Sequence, residues 1–171
     1  MSAEDCILER IGDDHRLDDF ECGTPALDTW LKKYALRNHR MDSSRVSVLV
    51  EDGQVVGYYA LTMGAVHMKD APPSLVRGLP AYDVGAVVLA RFAVASRVQR
   101  RGYGERLLAH AIADSVAAGS AVAARLIVVD AIDEQAARYY RRFGFVDLPE
   151  NPLRLYVRLA DAAASIGEAD N

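Results

Sequence analysis

Residues 84–119, VGAVVLARFAVASRVQRRGYGERLLAHAIADSVAAG, constrain the fold more than any other stretch of the chain. The opening run VGAVVLARFAV is too long and too apolar for an edge strand and reads as a central one. Only seven residues, 95–101, separate Val94 from Gly102, so this strand runs straight into a turn built on Gly102 and Gly104. GERLLAHAIADSVAAG then places Leu107, Leu108, Ala111, Ile112, Ser115 and Val116 on one helical face, with Gly119 where a C-terminal cap belongs. Glycine lacks a Cβ, so the backbone of the turn can come close to a ligand, and the first N–H groups of a helix have no partners of their own. Such groups form a seat for a pyrophosphate that the helix dipole strengthens. Arg97, Arg100, Arg101 and Arg106 add positive charge around it. Neither common nucleotide pattern fits: G-x-G-x-x-G needs a third glycine where this chain has Leu107, and a P-loop needs Gly-Lys-Ser/Thr. Hydride transfer and nucleotide hydrolysis lose ground accordingly.

The rest of the chain supplies a sheet and its helices. Runs at 6–11, 46–51, 54–62, 125–131 and 154–159 join 84–94 as strands, and Asp52-Gly53 forms a tight hairpin because both residues accept positive φ. Helices are expected over 24–39, with Thr24 as N-cap, Pro25 at the first position and Leu27, Trp30, Leu31 and Tyr34 on the docking face, and over 104–119 and 133–144. The Pro-rich segment 69–83 interrupts the sheet, and 161–171, small, polar and acidic, reads as a frayed, disordered tail after a single domain of 1–160. The order β, α, β, β, β, α, β, α, β describes an α/β (α+β) protein with one mixed central sheet of about six strands and helices on both faces. Half of the 171 residues are hydrophobic (51%), enough for one real core, and a net charge of -4 argues against coating nucleic acid by bulk charge. Cys6 and Cys22 lack metal or redox spacing and read as buried, idle thiols; no metal site is expected. With no run of about 18 apolar residues and a polar start, the chain reads as a soluble cytoplasmic protein with no membrane partner.

Gln99-Arg100-Arg101-Gly102-Tyr103-Gly104 resembles the Q/R-x-x-G-x-G/A motif of the GNAT N-acetyltransferases. The strand LARFAV before the turn and the later RLIVVDAIDEQAARYYRRFGF, with its Y-x-x-x-G-F element, agree in order and spacing from about residue 45 to 159. The resemblance implies the GNAT fold with acetyl-CoA as cofactor. Its pyrophosphate would rest on Gln99, Arg100, Arg101, Gly102, Tyr103, Gly104 and Glu105, and its pantetheine arm would pair with Phe92, Ala93 and Val94. Tyr140 occupies the family's acid position, pointing at the coenzyme sulfur; read without the family, its spacing from Ala136 and Phe143 is that of an ordinary core residue on a helix face. Asp133 stands where many members have Asn and reads as an N-cap.

No base stands out: His15, His39, His67 and His110 have no sequence tie to the reaction centre, and Glu51 and Asp83 read as solvated strand ends. A lysine substrate, with a pKa of about 10.4, would need such a base, whereas an α-amine at about 7.7–8.0 needs little help. FECGTPALDTWL, residues 20–31, resembles the opening of acetyltransferase toxins of bacterial toxin–antitoxin pairs. That likeness implies acetylation of the α-amine of aminoacyl-tRNA and a block of translation. It also implies a ribbon-helix-helix antitoxin partner and a homodimer. For tRNA phosphates the candidates are Lys32, Lys33, Arg37, Arg40 and Arg45, in and after the first helix. Arg91, an isolated charge in an apolar strand, is expected to line the acceptor-end cleft, with Arg141 and Arg142 near the reaction centre. The alternative is an acetyltransferase of a small-molecule or protein amine without RNA.

Overall fold

The computed structural model describes residues 5–149 and 151–169. It forms a seven-stranded mixed sheet in the order β1-β2-β3-β4-β5-β7-β6. The strands are β1 (Ile7–Arg10), β2 (Arg45–Glu51), β3 (Gln54–Val66), β4 (Val84–Val94), β5 (Leu126–Asp130), β6 (Val146–Leu148) and β7 (Asn151–Arg158). The chain divides into two compact units, Met1–Thr62 with Ala90–Ala111, and Met63–Leu89 with Ile112–Asn171.

In the first unit, β1 pairs antiparallel with β2, and β2 with β3. The turn between β2 and β3 is the expected one: Asp52 (φ 51) and Gly53 (φ 76) both lie in the left-handed region. A bulge between Leu49 and Val50 shifts the register of β2, which breaks the simple alternation of its faces. Val46, Val48, Leu49, Val56, Tyr58 and Tyr59 are buried, as are Leu107 and Leu108 of α4 (Tyr103–Val122). A Cβ on Gly57 would stand 3.1 Å from Leu107 Cδ2 and 3.2 Å from the Ala93 carbonyl, so the missing side chain lets helix and strand pack closely. The first helix is α1 (Pro25–Trp30), continued by a π-turn over Leu31–Ala35 and α2 (Leu36–Arg40). The wider π-turn moves the apolar stripe on by one residue. Ala35 is therefore buried and Tyr34, expected on the docking face, is exposed.

In the second unit, β5 pairs parallel with β4 over Ala86–Leu89 and antiparallel with β7. β6, three residues that carry no period of their own, adds to β7 at the edge and raises the strand count to seven. At the start of the Pro-rich segment a 3-10 turn over Met68–Asp70 is followed by a short helix, α3 (Pro73–Val76), anchored by buried Leu75. Gly119 does not cap its helix, which continues to Val122; a Cβ at Gly119 would collide with Leu159 Cδ1, so the glycine makes room for packing. Of the segment 161–171 expected to fray, 161–169 belong to a helix, α6 (Leu159–Ala169), in which Leu159 and Ala162 are buried, and 170–171 lie outside the described residues. The alanines of α6 favour helix and Asp161 lies in the first turn, where a carboxylate suits the dipole. Among the described residues no helix is long and apolar enough to cross a membrane.

Candidate active site

The glycine turn lies in the first unit. Arg100 (φ 63) and Gly102 (φ +86) are both left-handed. Alternation of this kind turns successive backbone N–H groups toward one side and makes an anion-binding concavity. Apart from the adjoining residues, no heavy atom lies within 4 Å of where a Cβ on Gly102 would stand, so the space above the turn is open. The first intrahelical bond of α4 runs from Arg106 N to Gly102 O at 3.2 Å. The amides before Arg106 are those a helix start leaves without intrahelical partners.

The side chains around the turn divide the work differently from the sequence reading. Gln99 Nε2 donates to Cys22 O and to Val94 O, each at 2.9 Å, so both amide hydrogens brace the turn. Arg97 donates to Gln54 Oε1 at 3.0 Å, and Arg106 donates to Cys6 O at 3.1 Å. The Arg101 guanidinium lies over the Tyr103 ring, 5.7 Å from its centroid. Arg100 and Arg101 are exposed, and Glu105 is exposed in the first turn of α4. Tyr103 is buried, and its hydroxyl donates to Glu51. Glu51 is thus no solvated strand end; it is 8% exposed.

The signature segment 20–31 is tied to the same turn. Gly23 (φ +91) allows the bend, and Ser96 N donates to Glu21 O at 2.7 Å beside the Gln99–Cys22 bond. Thr24 makes no side-chain cap; Asp28 reaches back instead and accepts from Cys22 N at 2.9 Å. Removing that acceptor in Asp28→Ala is expected to lower stability by about 1 kcal/mol, with Asp28→Asn close to wild type, as measured by urea unfolding. Tyr58 donates to Leu27 O at 2.7 Å, stacks on Trp30 with centroids 6.0 Å apart, and meets the Phe20 ring edge-on at 5.7 Å. Arg91 completes the stack: its guanidinium lies 5.2 Å from the Trp30 ring centroid and donates to Ala90 O at 2.8 Å. A half-buried charge is thereby accommodated by an aromatic face and a carbonyl rather than a carboxylate. Burial pushes Cys22 up to about 11, and burial likewise raises Tyr58, so neither loses its proton at neutral pH. Both cysteines are free and buried, as expected.

On the first helix the basic residues separate into two groups. Lys32, Lys33 and Arg37 are exposed, and among the described residues no carboxylate pairs with them. Arg40 is paired with Asp13, and Arg45 with Asp42 at 2.8 Å. Phe92 and Val94 are half-buried at the end of β4, and Ala93 is buried between them.

Tyr140 lies in the second unit, on α5 (Glu134–Arg142), and is 6% exposed. Asp133 caps this helix by accepting from Ala136 N at 2.8 Å, and Gly144 (φ +91) ends it. The left-handed glycine turns the chain back so that the Phe145 ring meets Tyr140 edge-on at 5.7 Å, which is the physical content of the Y-x-x-x-G-F spacing. Burial raises the Tyr140 phenol above its ordinary pKa and keeps it neutral. Arg141, expected near the reaction centre, is a structural clamp. It grips Asp147 with two hydrogen bonds, 2.8 and 2.9 Å, and Glu134 with a third at 2.7 Å, and holds both carboxylates below their usual range. Arg142 lies over the Tyr139 and Phe143 rings. Three of the four histidines have local partners: His15 accepts from Gly12 N, His39 accepts from Val46 N, and His67 pairs with Asp83 at 3.3 Å.

A long strand leading into a left-handed turn at a helix start, and a buried tyrosine ahead of a Gly-Phe pair, are each in place. The chain belongs to the acetyltransferase (GNAT) family, whose profile matches residues 9–145. It is 40% identical over 159 residues to the tRNA-acetylating toxin of Mycobacterium tuberculosis (strain ATCC 25618 / H37Rv), covering 93% of this chain and 95% of that protein. Among solved structures it is similar to AtaT complexed with acetyl-methionyl-tRNAfMet, with a TM-score of 0.87 and 29% identity over 94% of this chain and 99% of that one. It is also similar to a tyrosine-to-phenylalanine mutant of AtaT bound to the C-terminus of the antitoxin AtaR and acetyl-CoA, with a TM-score of 0.81 and 28% identity over 95% and 99% of the two chains.

Proposed function

We propose that the protein is a toxin that transfers an acetyl group from acetyl-CoA to the α-amine of aminoacyl-tRNA and so blocks translation. The observation that carries this reading is the Arg100–Glu105 turn, where two left-handed residues, an open space over Gly102 and the start of α4 together make a cradle for a pyrophosphate. The tRNA substrate is supported by the M. tuberculosis and AtaT likenesses and by the signature segment 20–31 bonded to that turn.

Acetyl-CoA supplies a thioester whose sulfur departs as a thiolate when the amine attacks. In this reading the amides of Gly102, Tyr103, Gly104 and Glu105 bind the pyrophosphate, with Arg100 and Arg101 supplying charge. Gln99 acts by holding the turn, since its donors are engaged at Cys22 and Val94. The backbone of Phe92, Ala93 and Val94 aligns the pantetheine arm. Tyr140 donates a hydrogen bond to the departing sulfur. Burial keeps its phenol protonated at neutral pH, so the proton is in place for the acid role of the sequence reading. The attacking α-amine, made more acidic by the neighbouring ester than a free α-amine at about 7.7–8.0, is neutral without a dedicated base, and the proton it sheds as the amide forms would pass to solvent or to the departed thiolate.

Arg91 on its Trp30–Tyr58 stack holds the acceptor end, and Lys32, Lys33 and Arg37 bind backbone phosphates, with Arg40 joining them by releasing Asp13. Arg91→Ala is expected to lower tRNA acetylation at least tenfold with acetyl-CoA binding unchanged; equal rates would remove it from the site. The reading further places the enzyme in the cytoplasm, as a homodimer neutralised by a ribbon-helix-helix antitoxin. The test is transfer of labelled acetyl groups from acetyl-CoA to charged tRNA, uncharged tRNA, free amino acids and protein amines in parallel. Label only on charged tRNA supports the proposal. Label on free or protein amines alone supports the RNA-independent alternative.

A further inference from the structure

The proposed coenzyme turn is fixed by a device that the family motif does not specify. Tyr103 is the first residue of α4 and follows Gly102 directly; it is 1% exposed, so its ring fills core. Its hydroxyl donates to a carboxylate oxygen of Glu51, itself 8% exposed. Glu51 is the last residue of β2, paired with Gln54 across the two-residue turn, so the acceptor is held on a rigid strand end. One helical turn later, on the same side of α4, Arg106 donates to Cys6 O, next to β1 where Ile7 pairs with Val50. The helix start is thereby attached at two points to the β1–β2 pair. The Glu51–Tyr103 bond pushes the Tyr103 hydroxyl up to about 12, in line with a phenol that stays the donor.

A phenylalanine at 103 would fill the same volume, so packing alone does not call for tyrosine. A buried carboxylate, however, is costly without a hydrogen-bond donor. We propose that the Tyr103–Glu51 hydrogen bond is a positioning element for the coenzyme, setting where the amides of Gly102–Glu105 stand and therefore how tightly the pyrophosphate is held. The proposal rests on the coenzyme reading above, and it gives Tyr103 a role through Glu51 rather than through a side-chain contact with the coenzyme.

The experiment titrates coenzyme A into the full chain by calorimetry and records the Tm of each variant. Tyr103→Phe is expected to weaken coenzyme A binding about tenfold, whereas Glu51→Gln, which keeps an acceptor oxygen, stays within about threefold of wild type. The double variant Glu51→Leu/Tyr103→Phe removes the buried charge together with its donor. Its Tm is expected to return to near that of wild type, while binding remains about tenfold weak. A purely structural bond would restore binding together with Tm in the double variant, and that result overturns the proposal. It is also overturned if Tyr103→Phe binds coenzyme A as tightly as wild type, or if Glu51→Gln is as weak as Tyr103→Phe. Failure of the wild-type chain to bind coenzyme A would be a different result: it removes the coenzyme reading and the proposal with it.

Discussion

Tyr140→Phe is expected to leave acetyl-CoA binding within about twofold of wild type and to lower turnover by about 10²–10³, the range for loss of one donor aimed at developing charge. The substitution removes a single oxygen from a ring that is packed edge-on against Phe145, so the core around it keeps its shape. Single-turnover rates with charged tRNA, set beside calorimetric binding of acetyl-CoA, separate the two effects. The same residue sets the pH dependence. Burial raises the Tyr140 pKa, so the phenol remains protonated from neutral to mildly alkaline pH, and the donor is lost only above its ordinary value. Activity should therefore rise through the pKa of the α-amine, which the neighbouring ester lowers below the about 7.7–8.0 of a free α-amine, and then level, with no falling limb below about pH 9. A descending limb in that range would mean that a different group, with a lower pKa, supports the leaving sulfur.

Gly102→Val is expected to weaken acetyl-CoA binding by about 100-fold or more. Two effects combine. The left-handed φ of +86 is unfavourable for a β-branched residue. The new side chain also enters the open space over the turn, which the proposed site reserves for the pyrophosphate. Beyond the adjoining residues no heavy atom lies within 4 Å of the Cβ position, so the new Cβ meets no packed neighbour and the chain should still fold. Calorimetry with coenzyme A checks this; binding as tight as wild type would place the pyrophosphate elsewhere.

Features carried by local chemistry were legible in the sequence. Asp52-Gly53 demanded a hairpin and forms one, the strand before Gly102 and the helix after it stand where expected, and Gly144 ends α5 with Phe145 against Tyr140. What escaped depends on partners distant in the chain. Glu51 read as a solvated end because only its distant partner, Tyr103, shows it to be buried and bonded. Gly119 read as a cap because its true constraint, Leu159, lies 40 residues away. The π-turn over Leu31–Ala35 leaves no mark in a 3.6-residue period, and it misplaced Tyr34. Gln99 stands in the turn expected to hold the pyrophosphate, and only the positions of the Cys22 and Val94 carbonyls show that its side-chain amide also braces that turn. Arg141 was grouped with possible phosphate ligands by charge alone, although Glu134 at i−7 and Asp147 at i+6 were the available hint of a clamp.

The central claim is tested most directly by incubating the purified protein with acetyl-CoA and a complete pool of charged tRNA, digesting the RNA and examining the products by mass spectrometry. The account predicts N-acetyl aminoacyl-adenosine, formed by the wild-type chain and nearly abolished by Tyr140→Phe. Absence of that product from a wild-type protein that still binds acetyl-CoA would contradict it, and would direct the search to small or protein amines.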